Sequence, residues 1–137
     1  MQKLISSKPS IYCVDALNLV RRSEGPGFAD ENSALSALLV LLESAAGGRL
    51  RGSEFRLFID GAGGNFPFRP KFGVFVRFSG AESADDLILD TARYLKAAGK
   101  RAVVVTSDGG LMSLVRQEGV KCLDCDCFVE LCRRAAA

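Results

Sequence analysis

Apolar positions along the chain follow two alternating rhythms. Short, nearly continuous runs rich in β-branched and aromatic residues span Ser10 to Asp15, Phe55 to Asp60, Val74 to Phe78, Arg101 to Ser107 and Val120 to Leu123. Runs of that length suit strands buried on both faces, as in a parallel sheet. Between them the spacing changes to three and four. Ala34, Leu35, Leu38, Leu39, Leu42 and Ala46 form a helical stripe, with Asp30 or Asn32 as its cap and Gly47-Gly48 as its stop. Leu87, Ile88, Ala92 and Leu95 mark a second helix, opened by Ser83 or Ala84 and closed near Gly99. Leu111, Leu114 and Val115 give a short third helix, stopped by Gly119, and a last one runs from about Phe128 into Arg133 and Arg134 with Asp126 as a cap. Strands alternating with helices predict an α/β fold of three layers around a mostly parallel five-stranded sheet. At 137 residues, with no repeat or linker, the chain is expected to be one domain spanning 1–137.

Polar residues break these rhythms in a telling place. Asp15 ends the first strand, Asp60 the second, and Asp108 follows the fourth, while Asp85 and Asp86 open the middle helix. Ligands of open α/β sheets bind beyond the carboxyl ends of the strands, where these acids are expected to lie. Simpler roles compete: Asp85 suits a helix cap, and Asp60 before Gly61-Ala62-Gly63-Gly64 suits a turn. Asp15 and Asp108 follow strongly apolar strands, where an unpaired carboxylate is costly without a cation or donors.

Composition narrows the chemistry. Histidine is absent, so Ser-His-Asp and Cys-His catalysis and histidine zinc sites are excluded. Converging carboxylates without histidine are the donor set of Mg2+ or Mn2+, ions that activate water and neutralise charge on a phosphate. Phosphoryl transfer or phosphodiester hydrolysis is the chemistry that uses such a set. Net charge is only +2, which permits a nucleic-acid partner without indicating one. The start of the chain has no signal-like apolar stretch, and the longest apolar segment, Ala34 to Ala46, is too short to span a bilayer. A cytoplasmic protein with no membrane partner is expected. Gly61-Ala62-Gly63-Gly64 is neither a P-loop nor a dinucleotide motif, so no nucleotide cofactor is expected.

Four stretches, in order, resemble a known group. Val14-Asp15-Ala16-Leu17-Asn18 resembles the V-D-G-Y-N opening of NYN domains, particularly the YacP-like group. Phe58-Ile59-Asp60-Gly61-Ala62 is similar to a strand ending F-D-A or F-D-G, Ser83-Ala84-Asp85-Asp86-Leu87-Ile88 to the A-D-D-x-I helix start, and Val104-Val105-Thr106-Ser107-Asp108 to the V-x-T-S-D strand end. The resemblance covers about residues 10 to 130. It implies a PIN-like fold and a metal-dependent endoribonuclease acting on single-stranded or unpaired RNA. It further implies catalytic roles for Asp15, Asn18, Asp85, Asp86 and Asp108, with Asp15, Asp86 and Asp108 holding Mg2+ or Mn2+. Thr106 and Ser107 would donate hydrogen bonds to carboxylate or phosphate.

The chain departs from the group at Ala16 and Leu17, where glycine and an aromatic are usual, and at Met112, which cannot ligate magnesium. Asp90 is a substitute acid, though more simply an exposed one. The alternative is therefore a catalytically weakened NYN-fold domain that binds RNA or acts as a scaffold. A phosphatase-like hydrolase of small phosphates is a third reading. Arg21, Arg22, Arg69 and Lys71 are candidate RNA contacts bordering the acids, on the premise that the loops after the first and second strands leave the same edge. Solvated loop positions explain those charges as well. Phe66 and Phe68 suit base stacking or, more commonly, burial under the loop. Cys122, Cys125, Cys127 and Cys132 read as reduced thiols packing the last strand and helix rather than as a zinc site. Asp124-Cys125-Asp126 is similar to the D-x-D of Toprim domains, but the glutamate that would match it is missing from the first strand end. The oligomeric state is open, a homodimer included.

Overall fold

The computed structural model describes residues 8–23, 30–63, 66, 68–71 and 73–136. Ten elements follow in order: β1 (Ile11–Asp15), α1 (Ala16–Ser23), α2 (Glu31–Gly47), β2 (Glu54–Ile59), β3 (Val74–Phe78), α3 (Ala84–Ala97), β4 (Ala102–Val105), α4 (Gly109–Gln117), β5 (Lys121–Leu123) and α5 (Cys125–Ala136). The strands form one sheet in the order β3-β2-β1-β4-β5, and every pairing is parallel. The expected three-layer α/β architecture is therefore present, with the sheet wholly rather than mostly parallel.

Side-chain alternation along each strand divides the core in two. Tyr12, Val14, Phe55, Leu57, Val103 and Val105 face one side, where they pack with α1, α2 and α5. Tyr12 stacks on Phe55 at 5.2 Å between ring centres, and Phe128 of α5 closes the trio at 5.5 and 6.1 Å. Cys13, Phe58 and Val104 face the other side, against Leu87 and Ile88 of α3 and Leu111 and Val115 of α4. Leu114, expected on that buried stripe, is 47% exposed, because α4 turns only Leu111 and Val115 inward.

Capping sets the helix ends. Asp30, rather than Asn32, accepts from the Ser33 amide at 2.8 Å and starts α2. Gly48 ends that helix where α5 presses closest, since a Cβ there would lie 2.2 Å from the Ala135 carbonyl oxygen. α5 begins at Cys125, three residues earlier than the apolar stripe suggests, and its cap is Asp124, which accepts from the Cys127 amide at 2.8 Å. Asp126, the expected cap, sits in the first turn and pairs with Arg22. Periodicity does not predict α1. It starts directly after Asp15, so the stretch expected to be a loop is helical. Among the described residues no helix is long and apolar enough to cross a membrane.

Candidate active site

The two central strands deliver the polar centre. β1 ends in Asp15 and the neighbouring β4 runs into Thr106, so both reach the carboxyl edge side by side. Asp15 is 7% exposed and Thr106 is fully buried. The Thr106 hydroxyl donates to Asp15 Oδ2 at 3.1 Å and accepts the Asp108 amide at 3.1 Å. One turn into α1, Asn18 Oδ1 accepts the Ser107 amide at 2.8 Å and the Cys125 thiol at 3.3 Å. Ser107 in turn uses its hydroxyl oxygen to accept the Cys125 amide at 2.9 Å. This network joins the ends of β1 and β4 to the start of α5. Each polar atom acts on a neighbour's position, so Asp15 is held in one orientation.

The remaining acids come from the next strand and two helix starts. Asp60 follows β2, and its Oδ1 accepts the Ala84 amide at 2.7 Å, tying the strand end to the first residue of α3. Ser79 reinforces that tie by accepting the Gly61 amide at 3.0 Å. Ser83 caps α3 by accepting from the Asp86 amide at 3.1 Å, and Asp108 caps α4 by accepting from the Leu111 amide at 2.9 Å. A cleft of about 320 Å³ opens between these ends, lined by Asp15, Leu17, Asn18, Arg21, Arg22, Asp60, Ala84 and Asp85. Of the adjacent pair it is thus Asp85 that faces the cleft, while neither Asp86 nor Asp108 is part of its wall. Asp90 lies further along α3, exposed and paired with Arg93 at 3.6 Å.

Electrostatics link these groups. Burial pushes the Asp15 carboxyl up to about 6, with Asp85 and Asp108 adding to the rise and the Thr106 hydrogen bond opposing it. Asp85 is also raised, chiefly by desolvation and then by Asp108, Asp60 and Asp86. The N-termini of α1, α3, α4 and α5 all lie at this edge, and their dipoles favour negative charge there.

The basic residues divide. Arg21 and Arg22 do line the cleft, from the last turn of α1 rather than from a loop. Arg21 pairs with Glu31, and Arg22 with Asp126 at 3.1 Å. Arg69 and Lys71 do not border it. A parallel β2–β3 connection must carry the chain back to the amino edge before β3 begins. Lys71 has made that return: its amide donates to Glu43 at 2.9 Å, and Gly73 nearby accepts from Phe55 at the start of β2. Arg69 is exposed on the same return path. Phe66 is half-buried, edge-to-face with Phe68 at 5.2 Å and with Phe78 at 5.3 Å.

Local sequence patterns place Asp60 at a strand end without showing what it holds, and they do not mark Cys125 as part of this site. Asp60 has the neighbourhood of a turn residue, and the three glycines and one alanine that follow it give no sign of its contact with α3. The cysteines otherwise stay apart: Cys13, Cys125 and Cys132 are buried, Cys122 half-buried and Cys127 exposed, all as free thiols. Burial raises the Cys13 and Cys132 thiols to about 12, so neither is a nucleophile at neutral pH.

No family model and no curated protein matches the chain. Solved structures do. Rae1 (YacP) from Bacillus subtilis superposes with a TM-score of 0.69 at 19% identity, covering 91% of this chain and 76% of that one. A mutant form of the same protein gives 0.69 at 20% identity, covering 91% and 77%. The chain has the YacP-like NYN/PIN-like fold. The resemblance of Val14–Asn18, Phe58–Ala62, Ser83–Ile88 and Val104–Asp108 to that group thus extends to the backbone. In this fold all four stretches meet the carboxyl edge of the sheet.

The donor chemistry at that edge fits a hard divalent cation: carboxylate oxygens, no histidine, and two acids whose pKa is raised by their own surroundings. Among the described residues, however, no three Asp, Glu or Cys side chains already stand close enough to form a ligand group.

Proposed function

We propose that this chain is a Mg2+- or Mn2+-dependent endoribonuclease that hydrolyses phosphodiester bonds in single-stranded or unpaired RNA. The observation that carries this is the buried Asp15, raised to about 6 beside Asp85 and Asp108 at the open edge of a YacP-like fold. Carboxylates gathered so that each disfavours its neighbour's charge are what a divalent cation would relieve. Asp15, Asp85 and Asp108 would hold the ion, with Asp60 or Asp86 as further oxygen donors. When bound, the ion would lower the pKa of water and neutralise charge developing on the phosphate.

The protein's own groups have separable tasks. Thr106 fixes Asp15 by donating one hydrogen bond, and it fixes the β4–α4 turn by accepting another. Asn18 holds that turn against α1. Arg21 and Arg22 lie on the cleft wall, where planar donors suit phosphate oxygens, and Ser107, held by Asn18 in the turn after β4, is a further candidate contact for RNA. Cytoplasmic location fits the reduced thiols and the expected substrate.

A weakened RNA-binding or scaffold domain is the second reading. It is favoured by the lack of a preformed three-ligand group among the described residues and by Met112 one turn beyond Asp108. Incubating single-stranded RNA with the protein in Mg2+ or Mn2+, with and without EDTA, separates the two. Cleavage that EDTA stops is the expected result. Intact RNA that nonetheless binds equally with and without metal would establish the binding domain instead.

A further inference from the structure

A second hollow continues the acid cleft. It holds about 350 Å³ and is walled by Leu17, Leu35, Ile59, Phe66 and Phe78, with Asp60, Glu31 and Asn32 at its polar side. Leu17 and Asp60 belong to both spaces, so a strand lying in the cleft is led into this groove. Resting on the ribonuclease reading above, we infer that this groove seats the base of a nucleotide adjacent to the phosphate being cut, and that it favours bases with an exocyclic amine over uracil.

The walls suit a flat aromatic ring. Phe66 and Phe78 stand 5.3 Å apart at 72°, making a corner in which a base against one ring meets the edge of the other. Ile59 and Leu35 are buried beneath, which excludes water from the floor. The corner is firmly built. Gly61 is hydrogen-bonded to both Ser79 and Gly80 at 3.0 Å, so the strand end below Phe78 and the turn after β2 move together. Gly63 lies directly against Phe78, where an added Cβ would stand 2.2 Å from the ring. Any larger residue at 63 would force Phe78 out of its present position.

Polar chemistry supplies the selectivity. Two carboxylates, Glu31 and Asp60, offer acceptors only; Glu31 accepts from Arg21 through Oε2, and Asp60 accepts from the Ala84 amide and the Ser79 hydroxyl through Oδ1, which leaves the second oxygen of each for a ligand. Adenine, cytosine and guanine bring an amine that donates to a carboxylate, whereas uracil turns two carbonyl oxygens and one N–H toward the same wall. Carbonyl oxygens facing carboxylates repel. Asn32, exposed at the rim, can donate or accept and so tolerates any of the amine-bearing bases.

The test uses the full chain and single strands of about 12 nucleotides of A, C or U, long enough to cross both the cleft and the groove. Cleavage kinetics are followed in Mn2+ and, separately, fluorescence of a strand carrying 2-aminopurine in EDTA. Phe66→Ala should raise KM for the A and C strands about tenfold or more, leave kcat nearly unchanged, and abolish 2-aminopurine quenching. Phe66→Leu keeps apolar packing without the ring, so its loss of quenching would assign the effect to stacking rather than to folding. Wild type should cut U strands least. Equal KM in wild type and both variants, or no preference against U, would overturn the subsite. Quenching that depends on Phe66 without any cleavage would keep the subsite and refute the nuclease.

Discussion

The two edges of the sheet bear opposite charge, and they differ in what holds that charge. At the carboxyl edge, Asp15, Asp60, Asp85 and Asp108 gather where four helices begin. At the amino edge, Lys96, Lys100, Arg101 and Lys121 line a hollow of about 210 Å³ beside the ends of α3 and α4. Both signs agree with helix dipoles, so charge pattern alone would make either edge a binding site. Burial tells them apart. The amino-edge cations are exposed, and Lys96 satisfies itself on the Gly119 carbonyl at 3.1 Å. Asp15 is enclosed, hydrogen-bonded and pushed up to about 6 by its surroundings. A fold tolerates that cost where the charge has a task.

The sharpest way to break this contrast is to neutralise the enclosed acid. Asp15→Asn should lower metal-dependent RNA cleavage by roughly a hundredfold or more, measured as initial rate on a labelled strand. Asp108→Asn should abolish cleavage as well, while asparagine still caps α4 and relief of repulsion keeps the melting temperature equal or higher. A wild-type rate in either variant would detach that acid from the reaction.

Removing the support beneath Asp15 comes next in size. Thr106→Val keeps the shape but deletes the donor to Asp15 and the acceptor of the Asp108 amide. Urea unfolding should show a loss of about 1–3 kcal/mol.

The enclosed acid also makes stability depend on pH. The folded carboxyl of Asp15 binds its proton up to about pH 6, whereas an unperturbed one releases it near 3.8. Between those values the folded state holds more protons. Its contribution to metal-free stability is therefore full below about pH 4 and lost as pH rises through about 6, a change of roughly 2–3 kcal/mol. Asp85 acts in the same direction. The stability advantage of Asp15→Asn over wild type should grow with pH across that interval, and a constant difference would remove the desolvation argument.

How far the fold and the site can be read from the sequence depends on which residues carry unambiguous signals. β1 and β4 stand out because central strands buried on both faces are continuously apolar, whereas β2 and the edge strand β3, half exposed with Phe75 and Arg77 facing out, are marked mainly by their aromatic and β-branched residues. Asp15 and Asp108 stand out as the polar residues ending two of those runs. α1 is hidden: eight residues starting right after a strand offer too few turns for a period to show, so the pattern puts Arg21 and Arg22 in a loop. Arg69 and Lys71 are misplaced by local reading because their position depends on where the β2–β3 connection crosses the sheet, a property of topology and not of composition. Two aspartates flank Cys125, and only the Cys127 amide at 2.8 Å from Asp124 makes Asp124 rather than Asp126 the cap of α5. Asp60 combines a turn-forming neighbourhood with a contact 24 residues away, which no local pattern can reveal.

The smallest effects are expected from the exposed cations. Changing Arg21 and Arg22 together to alanine should weaken RNA binding and flatten its salt dependence by about 0.7 in slope for each phosphate no longer neutralised. Lys100→Gln with Lys121→Gln at the opposite edge should change binding by less than about twofold. Equal weakening by the two pairs would mean that RNA does not distinguish the edges.

On the proposed reading, the carboxyl edge holds a divalent ion. The most direct measurement is anomalous scattering from a crystal soaked in Mn2+, recorded near the manganese absorption edge. A single strong peak within ligand distance of Asp15, Asp85 and Asp108, about 2.0–2.3 Å from carboxylate oxygens, is the predicted result. Its absence there at a saturating concentration, or a peak only at other surface acids, would contradict it.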